Sequence, residues 1–169
     1  MDVERAYDVG RIPIDLESPW RDDGWASYSQ QLMDSYRHWT GDELVSREGS
    51  ITEQAERLFR APAIVVSHGT EPDPILCYGN LAALRLWELS LIELLAMPSR
   101  LTAEPVERSE RQAMLSRGLE HGFIRDYSGI RISSSGRRFL VRQATIWNVL
   151  DERGERIGQA ATFSDWAYQ

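Results

Sequence analysis

The sequence predicts an α+β fold: a five-stranded antiparallel sheet covered on one face by short helices, with extra helices ahead of it. Three observations carry this. Between residues 24 and 60 large apolar residues recur at helical spacing. From residue 61 the texture changes to short apolar runs bounded by Gly, Pro, Asn and Asp. After Gly122 three long runs rich in β-formers are separated by two Gly-containing turns, the pattern of an antiparallel meander.

Residues 1–23, with Gly10, Pro13 and Pro19 and no periodicity, read as an N-terminal arm. Residues 24–60 read as N-terminal helices and 61–169 as the core. In the first helix Trp25, Tyr28, Leu32, Tyr36 and Trp39 share one face, opposite Ser29, Gln30, Asp34 and Arg37. Such a stripe serves either core packing or a seam with a second copy or another partner. We carry it as the dimer or docking element.

A second helix begins at "SITE", Ser50 to Glu53, a capping-box sequence, and stops before Pro62. Its apolar side is Ile51, Ala55, Leu58 and Phe59. "AIVV" (Ala63–Val66) and "ILCY" (Ile75–Tyr78) form a hairpin across the turn-rich "HGTEPDP". Gly79 and Asn80 then convert strand to helix, because the Asn side chain accepts a free amide of the first helical turn. "SLIE" opens another short helix. A longer one runs from Thr102 or Glu104 to Gly122, burying Val106, Met114, Leu115 and Leu119. The meander follows: "FIRDYSGIRIS", "FLVRQATIWNVL" and "IGQAATFSDW".

The chain has 169 residues, 42% hydrophobic and 27% charged, with net charge −7. That balance fits one globular domain plus added elements. It opposes nonspecific nucleic-acid binding, which needs a basic surface to release counterions; the Gly136–Arg138 "GRR" reads as a solvated turn. A single cysteine, Cys77, excludes an intrachain disulfide and suits a reducing compartment. No stretch approaches a membrane span or a secretory h-region. The expectation is a cytoplasmic protein without membrane or nucleic-acid partners.

The order strand, strand, short helices, three-stranded meander resembles a PAS domain. More closely, "LCYGNLAALRLWE", "MPSRLTAEP", "DYSGIRISSSGRRF" and "QATIWNVLDERG" together resemble the MEKHLA domain over about residues 24–166. That PAS-like module occurs in stand-alone bacterial proteins and at the C-terminus of plant class III homeodomain–leucine zipper factors. No homeodomain or zipper is present here, so transcription-factor activity does not carry over. The resemblance implies a sensory or interaction domain with a pocket between sheet and helices.

Alternation in the sheet proposes the pocket face, with one conflict. Counting from the Ser134–Arg137 turn puts Gln143, Thr145 and Trp147 inward. Counting back from the Asp151–Gly154 turn puts Arg142, Ala144 and Ile146 inward. We adopt the first, which avoids a bare Arg142 beneath the helices. The candidate ligand residues are then Tyr78, Asn80, Leu84, Trp87, Tyr127, Arg131, Gln143, Thr145 and Trp147, with Arg100 and Thr102 at the rim. Arg131 either holds a small anionic or carboxylate ligand or pairs with Asp126, Glu88 or another internal carboxylate.

Cofactor chemistry has little support in the sequence. His38, His68 and His121 lack metal-ligand spacing. The PAS variety that forms a flavin adduct, LOV, carries its cysteine in an Asn-Cys-Arg motif, where this chain reads "MPSRLTAEP". A haem ligand is unsupported, since only His121 stands near the covering helices. The leading expectation is a non-catalytic sensor that signals through the packing of the first helix. The alternatives are a small cofactor-independent isomerase or hydrolase with Asp126 or Glu88 as base, and an interaction module filled by its own side chains.

Overall fold

The computed structural model describes residues 15–104, 109, 110, 112, 113, 116, 117 and 120–169. Helix α1 spans Asp23–Thr40 and α2 Ile51–Arg60; β1 is Ile64–His68 and β2 Leu76–Gly79; α3 is Leu81–Trp87 and α4 Leu91–Leu95. Strands β3 (Phe123–Ile132), β4 (Arg138–Leu150), β5 (Arg156–Phe163) and β6 (Asp165–Tyr168) follow. The described residues between 109 and 121 are helical. Val106, Met114, Leu115 and Leu119, expected to be that helix's buried side, lie outside the described residues.

All strand pairs are antiparallel, in the order β2-β1-β5-β4-β3, and β6 adds to β4. The last expected strand is divided at Ser164. Thr162 still faces Thr145 and Asp165 faces Arg142, so β5 and β6 accompany β4 in one continuous register.

The helix starts follow from their caps. Ser90 and Glu93 complete a capping box at α4. At α2 only half of one forms: Ser50 Oγ accepts from the Glu53 amide (3.1 Å), and the Glu53 carboxylate takes the Ser50 hydroxyl instead of its backbone N–H. Ala55, Leu58 and Phe59 are buried as expected; Ile51 shares their face by spacing but is exposed, because it is the first residue of the helix and lies ahead of the turns that pack on the core.

Asn80 does more than cap. Its Oδ1 accepts from Ala83 N (3.2 Å) and from Val65 N (3.1 Å). Its Nδ2 donates to Ala63 O (2.7 Å) and Leu58 O (3.3 Å). One fully buried side chain thus joins α2, β1 and α3.

The aromatic stripe of α1 is covered by the chain itself, correcting its assignment as a dimer or docking seam. Trp25, Tyr28 and Leu32 are fully buried. Trp25 lies 4.7 Å from Tyr78, and Tyr36 meets Trp147 edge-on at 5.0 Å. Trp39 stacks on Phe123 and donates its indole N–H to Asn148 O at 2.9 Å. Tyr28 OH reaches Ser67 Oγ at 2.7 Å. The physical reason is that a one-domain sheet has two faces, and the short helices cover only one. The other apolar face takes α1, whose outward side (Asp34, Arg37, His38) is exposed. Among the described residues no helix is long and apolar enough to cross a membrane.

Candidate functional site

The conflict between the two counts along β4 has a physical cause. Gln143 has φ +53, and the β3–β4 register shifts between the Tyr127↔Ala144 and Gly129↔Val141 pairs. This is a bulge: one extra residue, which exchanges the two faces beyond it. Before it Phe139 and Val141 point inward, and after it Ala144 and Ile146 do; Arg142 and Gln143 at the bulge are both exposed. Strand β3 carries a matching irregularity at Asp126, φ +58, so the faces of the two strands stay in step. Each count is right at its own end. The inward placement of Gln143, Thr145 and Trp147 is therefore corrected. Gln143 and Thr145 border an outer hollow with Tyr36, and Trp147 packs against α1.

On the other face a chamber of about 80 Å³ lies between the sheet and the segment from α3 to Thr102. Its walls are largely apolar: Val66 and Leu76, then Val141, Ala144 and Ile146, then Ala160, Ala161 and Phe163. Trp87, Thr102, Tyr127 and Arg131, four of the predicted ligand residues, line it together.

The others stand elsewhere. Tyr78 is buried against Trp25 and Tyr28. Asn80 is the structural peg described above. Leu84 is half-buried on α3 and does not line the chamber. Arg100 pairs with Asp73 at 3.2 Å on the surface, beside a neighbouring hollow that shares His68, Ser99 and Gln159 with the chamber. Sequence reasoning missed His68, Ser99 and the small residues of β5. The β5 alternation held a partial signal, since Ala161 lies opposite Ile146.

Tyr127, Gly129 and Arg131 share one face of β3. Arg131 is 9% exposed. Its Nη1 donates to Ile130 O at 2.8 Å, its Nη2 donates to Tyr127 OH, and the guanidinium lies 5.2 Å from the Tyr127 ring centroid. Gly129 permits this approach: a Cβ there would come within 2.5 Å of Tyr127 OH and 3.1 Å of Arg131 Nη1. Among the described residues no carboxylate pairs with Arg131.

The two carboxylates proposed as its partners, or as catalytic bases, are placed otherwise. Asp126 is exposed at the β3 irregularity. Glu88 accepts from Ser133 Oγ (2.6 Å) and from Ser135 Oγ, and those bonds hold its carboxyl below the ordinary carboxylate range. A base would need the opposite shift. No Asp or Glu lines the chamber among the described residues.

A flavin of the adduct-forming kind does not fit this site. The chamber is small against the roughly 300–1,000 Å³ of ordinary cofactor pockets. Cys77 does not line it; burial pushes the thiol up to about 11, and its Sγ lies 3.3 Å from Tyr28 OH.

Comparison with known proteins agrees with this geometry. The family model described as MEKHLA domain matches residues 26–168. The homeobox-leucine zipper protein REVOLUTA of Arabidopsis thaliana is 27% identical over 150 residues, 83% of this chain and 17% of that protein. Homeobox-leucine zipper protein HOX10 of Oryza sativa subsp. indica is 26% identical over 148 residues, 85% and 17%. The chain thus spans about 17% of the length of these curated relatives. Among solved structures, a PAS domain from Colwellia psychrerythraea superposes with TM-score 0.58 at 12% identity, covering 66% of this chain and 92% of that one. A Light-Oxygen-Voltage domain studied with a flavin analogue gives 0.55 at 18% identity, covering 69% and 84%. At these identities the likeness is one of fold.

Proposed function

The chain belongs to the MEKHLA domain family, and from that premise we propose that it is a non-catalytic sensory domain whose chamber takes a small anion at Arg131. The observation that carries this reading is Arg131 itself. A guanidinium stays charged at any ordinary pH. Holding one nine-tenths buried without a counter-charge is strongly disfavoured unless something else supplies it. The open apolar chamber beside a buried guanidinium favours a ligand over an interior filled by side chains, and the lack of a lining carboxylate among the described residues disfavours the isomerase or hydrolase alternative.

The output runs through β4. Ala144 and Ile146 wall the chamber, while Trp147, next in sequence, touches Tyr36 of α1 on the far side. A ligand that displaces the inner residues shifts the outer one, so α1 reports occupancy through its packing rather than through a free apolar stripe. A partner then reads the exposed side of α1.

The test is differential scanning fluorimetry with a panel of small organic and inorganic anions and their neutral isosteres. At least one anion is expected to raise the wild-type melting temperature with saturation, and to leave Arg131→Gln unmoved. The reading fails if no anion raises it, or if Arg131→Gln responds like wild type.

A further inference from the structure

We infer that the chamber selects a short aliphatic monocarboxylate, of the size of propionate to valerate, held by Arg131 and by the indole N–H of Trp87. The inference rests on the anion reading of Arg131 and narrows it by four observations.

The first is charge. Arg131 is the one Lys or Arg in the lining among the described residues. A second negative charge, as on a dicarboxylate or a phosphate dianion, would be buried against Val141, Ala144, Ile146 and Phe163 without a partner, at a cost that excludes it. The second is the wall chemistry. These residues match an alkyl chain, and an anion without one, such as chloride, would leave them facing empty space.

The third is an unmet donor. Trp87 is 4% exposed and lines the chamber, and its Nε1 has no acceptor. Its ring is fixed edge-on to Phe139 at 5.3 Å and to Phe163 at 6.1 Å. Buried indole N–H groups ordinarily find an acceptor. A carboxylate has two oxygens with about four lone-pair sites, enough to serve a guanidinium and an indole together.

The fourth is size. The chamber holds about 80 Å³; since 10–15 Å³ is the least space that holds one water-sized group, it seats at most roughly five to eight of them. Propionate, butyrate and valerate stay within that limit and a fully seated octanoate exceeds it, while acetate leaves most of the apolar wall uncovered.

Calorimetric titration of the intact chain tests this with sodium acetate, propionate, butyrate, valerate, octanoate, succinate and phosphate, and with 1-butanol as the uncharged counterpart of butyrate. Affinity is expected to peak between propionate and valerate, with succinate, phosphate and 1-butanol weaker by about tenfold or more, the scale of one charged hydrogen bond. Trp87→Phe keeps an aromatic ring, though a smaller one, and deletes the N–H. It should weaken butyrate by about tenfold and 1-butanol by much less, since only the carboxylate draws on the indole N–H; the smaller ring lowers the unliganded melting temperature through lost packing on Phe139 and Phe163. Gly129→Ala, which drives Tyr127 and Arg131 apart, should weaken butyrate as well.

Tighter binding of succinate or phosphate overturns the ligand class and leaves the anion reading standing. Equal affinity of wild type and Trp87→Phe for butyrate overturns the role of the indole. Equal binding of 1-butanol and butyrate by both wild type and Arg131→Gln overturns this inference and the anion reading together.

Discussion

Replacing Asn80 separates two accounts of the strand-to-helix junction. If Asn80 were only the N-cap of α3, Asn80→Ala would cost about 1 kcal/mol, and Asn80→Asp, an equally good cap, next to nothing. The structure gives it four buried hydrogen bonds. Alanine removes the cap, strands the Val65 amide in β1, and deprives the Ala63 and Leu58 carbonyls of a donor. The cap at about 1 kcal/mol, a stranded amide at 1–3 and the two carbonyls at about 1 together sum to roughly 3–5 kcal/mol. Aspartate keeps both acceptor bonds but turns an oxygen toward two carbonyl oxygens inside the protein. It should cost at least as much as alanine. Urea unfolding followed by circular dichroism reads both as shifts in midpoint at unchanged slope. An Asn80→Asp protein as stable as wild type would refute the four-bond arrangement and leave only the cap.

Three further outcomes follow from other contacts. The Ser133 and Ser135 bonds lower the Glu88 carboxyl, so this latch between α3 and the β3–β4 turn stabilises the fold fully above the ordinary carboxyl value of 4.5 and is lost as pH falls through the lowered folded value. Wild type should therefore out-melt Glu88→Gln at pH 7 and lose that advantage in acid, as melting curves across pH will read. The Cys77 thiol, buried and pushed up to about 11, should resist a disulfide reagent at pH 8 in the native protein and react within the mixing time once unfolded. Gly122→Ala should destabilise by more than Gly136→Ala: both glycines have positive φ, but a Cβ at Gly122 strikes the Trp39 ring whereas at Gly136 it meets open space. Parallel urea titrations give the comparison.

The fold was legible because local signals agreed with it. The cap sequences at Ser50, Asn80 and Ser90 each opened a helix, and the two Gly-containing turns set the meander. The site was less legible, for reasons that lie in two particular places. Residues 139–149 gave contradictory faces when counted from either end. A strand without a bulge cannot do that, so the contradiction was itself the mark of the extra residue near Gln143. Choosing one count over the other discarded that information and put Trp147 on the wrong side. The α1 stripe announced that Trp25, Tyr28 and Leu32 must be buried, but periodicity names no partner, and both a second copy and the outer face of the sheet satisfy it equally. Arg131 was found because Tyr127, Gly129 and Arg131 alternate without interruption after the β3 irregularity. That no carboxylate among the described residues pairs with it depends on where Glu88 and Asp126 go in space, which no spacing rule carries.

The central claim is that Arg131 waits in the chamber for an anion supplied from outside the chain. Native mass spectrometry of the freshly purified protein, with Arg131→Gln prepared alongside, tests it most directly. The account predicts that wild type carries a small acid as a discrete mass increment, released on unfolding and absent from the variant. Wild type without any increment, or the same increment on both proteins, would contradict it.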